Sequence, residues 1–500
     1  MRRLLPLAAT IFLLPGCKPE TENQVEPGPL MAGMATVRLP APLGIGTSGY
    51  GPFGAPSSTS PFADLYPATT RLHSHPEIRA LVLSRGEGFE LVFVRIDAVG
   101  IFQQLRSALV LELEERLGKE MDDAVFLAAT HTHAGPGRLV AEGGLFDLIA
   151  DSFLPEFYER MLDAMAGAVE AAFDDLAPAR VGHVMGLAED AHVDRRCEDG
   201  TDYTNSSLPV VAVERDGRIE ALLLSFAVHG TVLGIDDLTL SREVPGAIEH
   251  SVEELFEHPV HVMMFTAWAG DMAPGSPEVE RRDGAAIPNG YDRMEQVGVA
   301  VAAAVDEALA DLELHDEPEL ASRTYRTRID REILGYDDET FPYPYGGIYC
   351  NSEADCEAPA VQEELDENCM AFPEDQPAPD QTEFSTGRIG DLFLMTFTGE
   401  PVTTLAEYVM EGMHAQEGVE DVMFLGYTQD YMGYSLLEED WWYGGYEAGG
   451  SLWGPRQGQY LADFAIEAFD SFMEGEPLTG QPVPWPPFVV EAYDEYEPAS

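Results

Sequence analysis

The chain has 500 residues, of which 45% are hydrophobic, enough for one large domain or two to three ordinary ones with a sizeable core. Its 28 Lys and Arg stand against 89 Asp and Glu, a formal net charge of −61. That surface repels nucleic acid and anionic lipid, so DNA or RNA binding is excluded as a function class, and it keeps the chain strongly hydrated.

In chain order, Arg2 and Arg3 precede an apolar run from Leu4 to Leu14 that is too short for a permanent span, followed by Pro15-Gly16-Cys17. "LLPGC" resembles a bacterial lipobox, so residues 1–17 are expected to be a lipoprotein signal peptide and Cys17 the lipidated residue. Residues 18–35 open with the Pro- and Glu-rich "KPETENQVEPGPL" and read as a flexible linker. The expected location is the cell envelope, as an outer-membrane lipoprotein, or the secreted fraction. The membrane partner would be met through the lipid on Cys17.

The body of the chain, 36–475, reads as one α/β domain: a mixed β-sheet core with flanking helices. "IRALVLSR" and "LVFVRIDAVG" pair around the turn "GEGF"; "LRSALVLELEERLG" has helical periodicity; "DAVFLAAT" is a further strand. A helix covers 153–174, and "LPVVAVERDGRIEALLLSFAVHG" is a hairpin turned at Asp216-Gly217. "PVHVMMFTAWAGD" is a buried strand, "RMEQVGVAVAAAVDEALADL" a helix, "DLFLMTFTG" a strand and "TTLAEYVMEGMHA" a helix. No internal repeat is visible. Residues 336–383 are acidic, Pro- and Cys-rich and aperiodic, and read as a long stapled insertion. Cys197, Cys350, Cys356 and Cys369 allow two disulfides in three connectivities, with at least one bridge among the last three. No Cys-x-x-Cys spacing supports a zinc knot there. Residues 476–500 form a Pro-rich tail expected to wrap the domain.

Several apolar runs end alike, in a polar residue with Gly or Pro close by. "VFLAATHTHAGPG" delivers His131 and His133, "LLLSFAVHG" His229, "MMFTAWAGD" Asp271, and "FLMTFTGEP" Glu400. Sites in α/β folds collect where strands end. Two histidines at i, i+2 on extended backbone share a face. His and Glu from separate strands are ordinary zinc ligands, and a catalytic site keeps one position open.

The series resembles the catalytic domain of the neutral (non-lysosomal) ceramidases. The family's "THTHSGP", "NFAVHPT", "GD-x-x-P" and "PGEFTT" are matched in order by "THTHAGP", "SFAVHGT", "GDMAP" and "TGEPVTT". Its "Y-x-x-Y" followed by "RYEAAST-x-x-G" is matched by "GYTQDYMGY" and "YEAGGSLWGP". The resemblance runs from about residue 38 to 470. It implies one Zn²⁺ per chain held by His131, His229, Glu400 and Tyr434. It implies His133, Arg195 (in "HVDRR"), Tyr446 and Asp271 as catalytic or supporting residues. Ca²⁺ or Mg²⁺ finds no loop of recognised spacing in "NSEADCEAP".

The activity implied is zinc-dependent hydrolysis of the N-acyl amide of ceramide-like lipids, a lipid amide being the substrate partner. Three departures stand out. Ala267 occupies the position of a family serine proposed as nucleophile, the chain is shorter than ceramidases that carry a further β-sandwich domain, and the Cys-bearing insertion at 336–383 is expected to reshape the pocket mouth. They keep two alternatives open: a zinc hydrolase of another lipid amide or ester, and a non-catalytic surface lipoprotein that binds a lipid or a partner.

Overall fold

The computed structural model describes residues 27–141, 143–196, 203–276, 291–353, 365, 369–475 and 477–487. The expected signal peptide, Cys17, Cys197 and Cys356 lie outside them.

The fold is built from one pattern used three times. In the first unit, β1 (Met31–Arg38) lies antiparallel to β2 (Glu77–Ser84), and β2 forms a hairpin with β3 (Glu90–Ile96). Helix α1 (Gln103–Leu117) then returns the chain to β4 (Val125–Ala129), parallel to β3, and α2 (Pro155–Asp174) follows. The second unit repeats this with β5 (Arg180–Leu187), the hairpin β6 (Ser207–Arg215) and β7 (Arg218–Phe226), α3 (Glu243–Glu253), the parallel strand β8 (His261–Thr266) and α4 (Asp292–Ala308). The third uses β9 (Leu320–Arg328), the hairpin β10 (Gln381–Ile389) and β11 (Leu392–Thr396), α5 (Thr403–His414), the parallel strand β12 (Asp421–Leu425) and α6 (Gln457–Glu474). Each sheet keeps the same strand order, and only the first gains a fifth, two-residue strand, Ala177–Pro178.

Strand alternation explains the packing. One face of each sheet meets the other two sheets: Leu81, Leu83 and Phe93 pack with Val211, Leu223 and Phe265, and with Leu392, Leu394 and Met423. The alternate residues, such as Val92 and Leu127 or Leu222 and Met264, face the helix pairs α1/α2 and α3/α4. With both faces covered, the strands read as continuous apolar runs. The hairpin turn at Asp216-Gly217 has φ of 52° and 80°, the left-handed pair that a two-residue turn requires. The repeat is invisible in sequence because what recurs is register and order, not residue identity.

Three expectations are corrected. Residues 31–35 belong to β1, not to a linker. The strand pairs with β2 along its whole length, and a Cβ on Gly33 would lie 2.0 Å from the Ala172 carbonyl, so α2 rests directly on it. The insertion ends at 380, because Gln381–Glu383 begin β10 and the fully buried Glu383 pairs with Arg106 (3.2 Å) and Arg326 (3.0 Å). The internal repeat, unseen in sequence, is the organising feature. Within the insertion Cys350 and Cys369 form a disulfide. Within the tail, Pro484–Pro487 line a groove shared with Ser107, Val110, Leu111 and Glu114 of α1.

A buried ion network joins the first two units. Glu249 of α3 accepts from Arg95 Nε (2.8 Å) and from Arg242, and stands 3.5 Å from Arg79. Burial alone would raise its carboxyl pKa, but the three guanidinia outweigh burial and hold it below the ordinary 4.5. Glu249→Gln, which keeps the shape and removes the charge, is expected to cost about 3–5 kcal/mol at neutral pH by urea denaturation. A carboxyl depressed in the folded state contributes fully above its unfolded pKa and loses that contribution as pH falls through the folded one. The gap between wild type and variant should therefore narrow as pH drops below 4.5.

Candidate metal and substrate site

The repeated pattern places the carboxyl ends of the parallel strands of all three units at one point. His131 and His133 follow β4, His229 follows β7, Asp271 follows β8, Glu400 follows β11, and Tyr427, Tyr431 and Tyr434 follow β12. The strand ends are stitched in a ring. His133 N–H donates to the Gly230 carbonyl (3.0 Å), Gly270 N–H to Pro401 (2.9 Å), and Ala129 N–H to Tyr427 (3.1 Å). Units one and two, two and three, and three and one are thus each tied beside the site.

At the centre lies Glu400, 2% exposed. One of its oxygens is 3.2 Å from His131 Nε2 and 3.2 Å from His229 Nε2. The other accepts from the Tyr431 hydroxyl at 2.5 Å, while the Tyr427 hydroxyl donates to the first at 3.3 Å. His131 Nδ1 is 2.6 Å from the Val99 carbonyl, which can only accept, so the ring proton sits on Nδ1 and the Nε2 lone pair faces the centre. His131 holds φ of 58°, a left-handed conformation uncommon outside glycine and a form of backbone strain that gathers at functional sites.

His133 Nε2 stands 3.2 Å from His131 Nε2. Its ring packs against Tyr50 (4.6 Å between centroids), and a Cβ on Gly49 would lie 2.3 Å from its Nδ1.

Burial dominates the protonation states. It presses His229 down to about 3, helped by Arg195, and His133 well below 6.5, helped by His131 and His229. Burial would raise the Glu400 carboxyl, but the adjacent imidazoles outweigh it and keep it ionised. Neutral imidazoles and a carboxylate are the forms that bind a cation.

Their fit to a metal is testable on this geometry. The ring nitrogens of His131, His133 and His229 lie within 4.8 Å of one another, all buried. His229 Nε2, although 3.2 Å from a Glu400 oxygen, makes no well-formed hydrogen bond. Buried polar atoms are rarely left so, and a cation at the common point would engage it. The donor set fits.

Arg195 is anchored by Glu447 (Nε to Oε1, 2.8 Å) and donates to the Tyr434 hydroxyl (2.9 Å) and the Gly270 carbonyl (2.8 Å). Burial and Glu400 push the Tyr434 hydroxyl well above 10, with Arg195 opposing them. Tyr446 packs edge-on to Tyr434 at 5.5 Å and is 58% exposed on the cavity.

Asp271 does not contact the cavity. Its carboxylate accepts from Thr403 N–H (3.0 Å) and Oγ1 (2.9 Å), holding the first turn of the helix that follows Glu400. It is a positioning residue rather than the catalytic contact expected from sequence, because its strand end turns behind the site. Ala267 is fully buried and also off the cavity wall.

Sequence reading missed Tyr431, Tyr427, Tyr50 and Glu447. Tyr427, Tyr431 and Glu447 lay inside quoted motifs; nothing marked Tyr50.

The cavity at this centre is lined by Tyr50, His133, Tyr434 and Tyr446 and by an apolar wall of Leu145, Phe146, Leu148 and Ile149. Ile348, Tyr349 and Phe372 of the stapled insertion complete the wall.

Comparison with known proteins agrees with this layout. Residues 58–274 match the family model "Neutral/alkaline non-lysosomal ceramidase, N-terminal". The neutral ceramidase of Pseudomonas aeruginosa is 23% identical over 476 residues, covering 83% of this chain and 70% of that protein. The neutral ceramidase of Mycobacterium tuberculosis is 23% identical over 474 residues, covering 82% and 74%. Neutral ceramidase A of Dictyostelium discoideum is 28% identical over 155 residues, 30% of this chain and 22% of that one. The solved structure "Ceramidase complexed with C2" superposes with a TM-score of 0.74 at 20% identity over 91% of this chain and 77% of that one, which shows a shared fold. The crystal structure of the Pseudomonas aeruginosa neutral ceramidase gives 0.74 at 19%, over 92% and 77%. With the motifs in family order and the fold shared, residues 58–274 carry the N-terminal domain of the neutral/alkaline non-lysosomal ceramidases, and the chain is similar to members of that family over most of its length.

Proposed function

We propose that this chain is a zinc-dependent amidohydrolase that cleaves the N-acyl amide of ceramide-like lipids to a sphingoid base and a fatty acid. The observation that carries the reading is the meeting of His131, His229 and Glu400 within 3.2 Å contacts, with His131 and Glu400 lining a cavity that has an apolar wall. Relatives named neutral ceramidase support the substrate class.

His131, His229 and Glu400 would hold the metal, with Tyr434 as the fourth ligand. Bound Zn²⁺ would polarise the amide carbonyl and make a water acidic near neutral pH. His133, neutral and facing the same point, takes up a proton and returns one to the leaving nitrogen. The Tyr446 hydroxyl, open to the cavity, donates to the carbonyl oxygen as charge develops on it. Arg195, fixed by Glu447, holds Tyr434 in place. The apolar wall accepts the hydrocarbon flanking the amide. Ala267, off the cavity wall, removes no group from this scheme, which weakens the case for a non-catalytic lipoprotein. Another lipid amide or an ester would use the same residues, and a substrate panel separates these cases.

Purified protein should contain about one zinc per chain and release fatty acid from a fluorescent N-acyl-sphingosine in a chelator-sensitive way. His229→Ala should lose both metal and turnover; a metal-free variant with full activity would sink the reading. Tyr446→Phe should keep its zinc while kcat falls about 10²-fold. The expected N-terminal anchor remains part of the proposal. Palmitate incorporation in a bacterial host should be seen for wild type and be absent for Cys17→Ser.

A further inference from the structure

The mouth of the cavity carries apolar side chains that the fold leaves in water. Phe53 and Tyr349 line the cavity and are 80% and 44% exposed. Met370, paired across the strands from the lining residue Ile348, is 44% exposed. Single exposed apolar residues are ordinary, but three beside one opening form an interaction surface.

The loop bearing Phe53 is built to present it. Gly49, Gly51 and Gly54 have φ of 98°, 75° and 79°, turning the chain so that Phe53 stands clear, while Tyr50 anchors the loop on His133. The opposite rim is held by the Cys350–Cys369 disulfide and by Tyr349 N–H donating to the Gly449 carbonyl (2.6 Å).

Charge selects the occupant. A chain of formal charge −61 is repelled by an anionic bilayer, and rim residues without charge gain nothing from one. Aromatic side chains favour the water–lipid boundary, and the rim is continuous with the apolar wall of the cavity. We propose that Phe53, Tyr349 and Met370 dock this face on a zwitterionic phospholipid bilayer. Phe53 inserts among the acyl chains, so that a lipid passes from membrane to cavity without crossing water. The passage of substrate rests on the amidohydrolase reading; the docking itself does not.

The test places tryptophan at Phe53 (Phe53→Trp) or, as a control, at Val483 (Val483→Trp), which is 78% exposed and off the cavity. Each full-length variant is mixed at physiological salt with phosphatidylcholine vesicles carrying brominated acyl chains. Docking predicts a blue shift and about twofold quenching of the added emission for Phe53→Trp and none for Val483→Trp, even where an N-terminal lipid already tethers both. An unquenched Phe53→Trp, equal quenching of both variants, or quenching only with phosphatidylglycerol vesicles would overturn the proposal. A chain that inserts position 53 but hydrolyses no amide would leave the docking standing and remove the amidohydrolase.

Discussion

A carboxylate removed from water survives only among groups that answer its charge, and Glu400 is the point around which this molecule is arranged. Burial opposes its ionisation, and the two imidazoles 3.2 Å away, with the Tyr431 hydroxyl, reverse that balance. Those partners come from three different units, so none can be supplied locally. Backbone ties between Gly230 and His133, Pro401 and Gly270, and Tyr427 and Ala129 fix the strand ends close enough for the side chains to meet. The left-handed conformation of His131 is the local strain that this closure imposes.

The threefold use of one pattern explains why such convergence is available. In each unit a hairpin strand and the strand after the helix run parallel, so both finish at the same edge of their sheet. Packing the three sheets through a shared apolar core brings those edges together. The units then diverge at their ends. After β3 the chain contributes only the Val99 carbonyl, after β7 a histidine, and after β11 a glutamate. A symmetric scaffold thus carries an asymmetric site, with the supporting groups as specialised as the central ones. Asp271, behind the cavity, secures the helix that follows Glu400, and Glu447 secures Arg195.

Strands buried on both faces announce themselves as apolar runs, so "LVFVRIDAVG", "VFLAAT" and "FLMTFTG" could be placed from sequence. The abrupt polar residue ending each run marked His131, His229 and Glu400. What could not be read was anything depending on two distant segments. β1 is rich in small residues and looks like tether until Gly33 is seen beneath α2. Glu383 looks like one more acid of the insertion until Arg106 and Arg326 are seen on either side. Tyr431 sits three residues before Tyr434 in the same motif. Only the fold shows that Tyr431 grips Glu400 while Tyr434 meets Arg195.

The charges around the centre carry the synthesis one step further. Glu447 is answered by Arg195 (2.8 Å) and Arg196 (3.9 Å), while Glu400 lies among His133, His229 and Tyr434, which burial keeps uncharged. Of the two buried carboxylates, the one without a guanidinium at ion-pair distance is thus the one that lines the cavity. An uncompensated buried carboxylate is an expensive state, and it is at this point that a cation would be drawn.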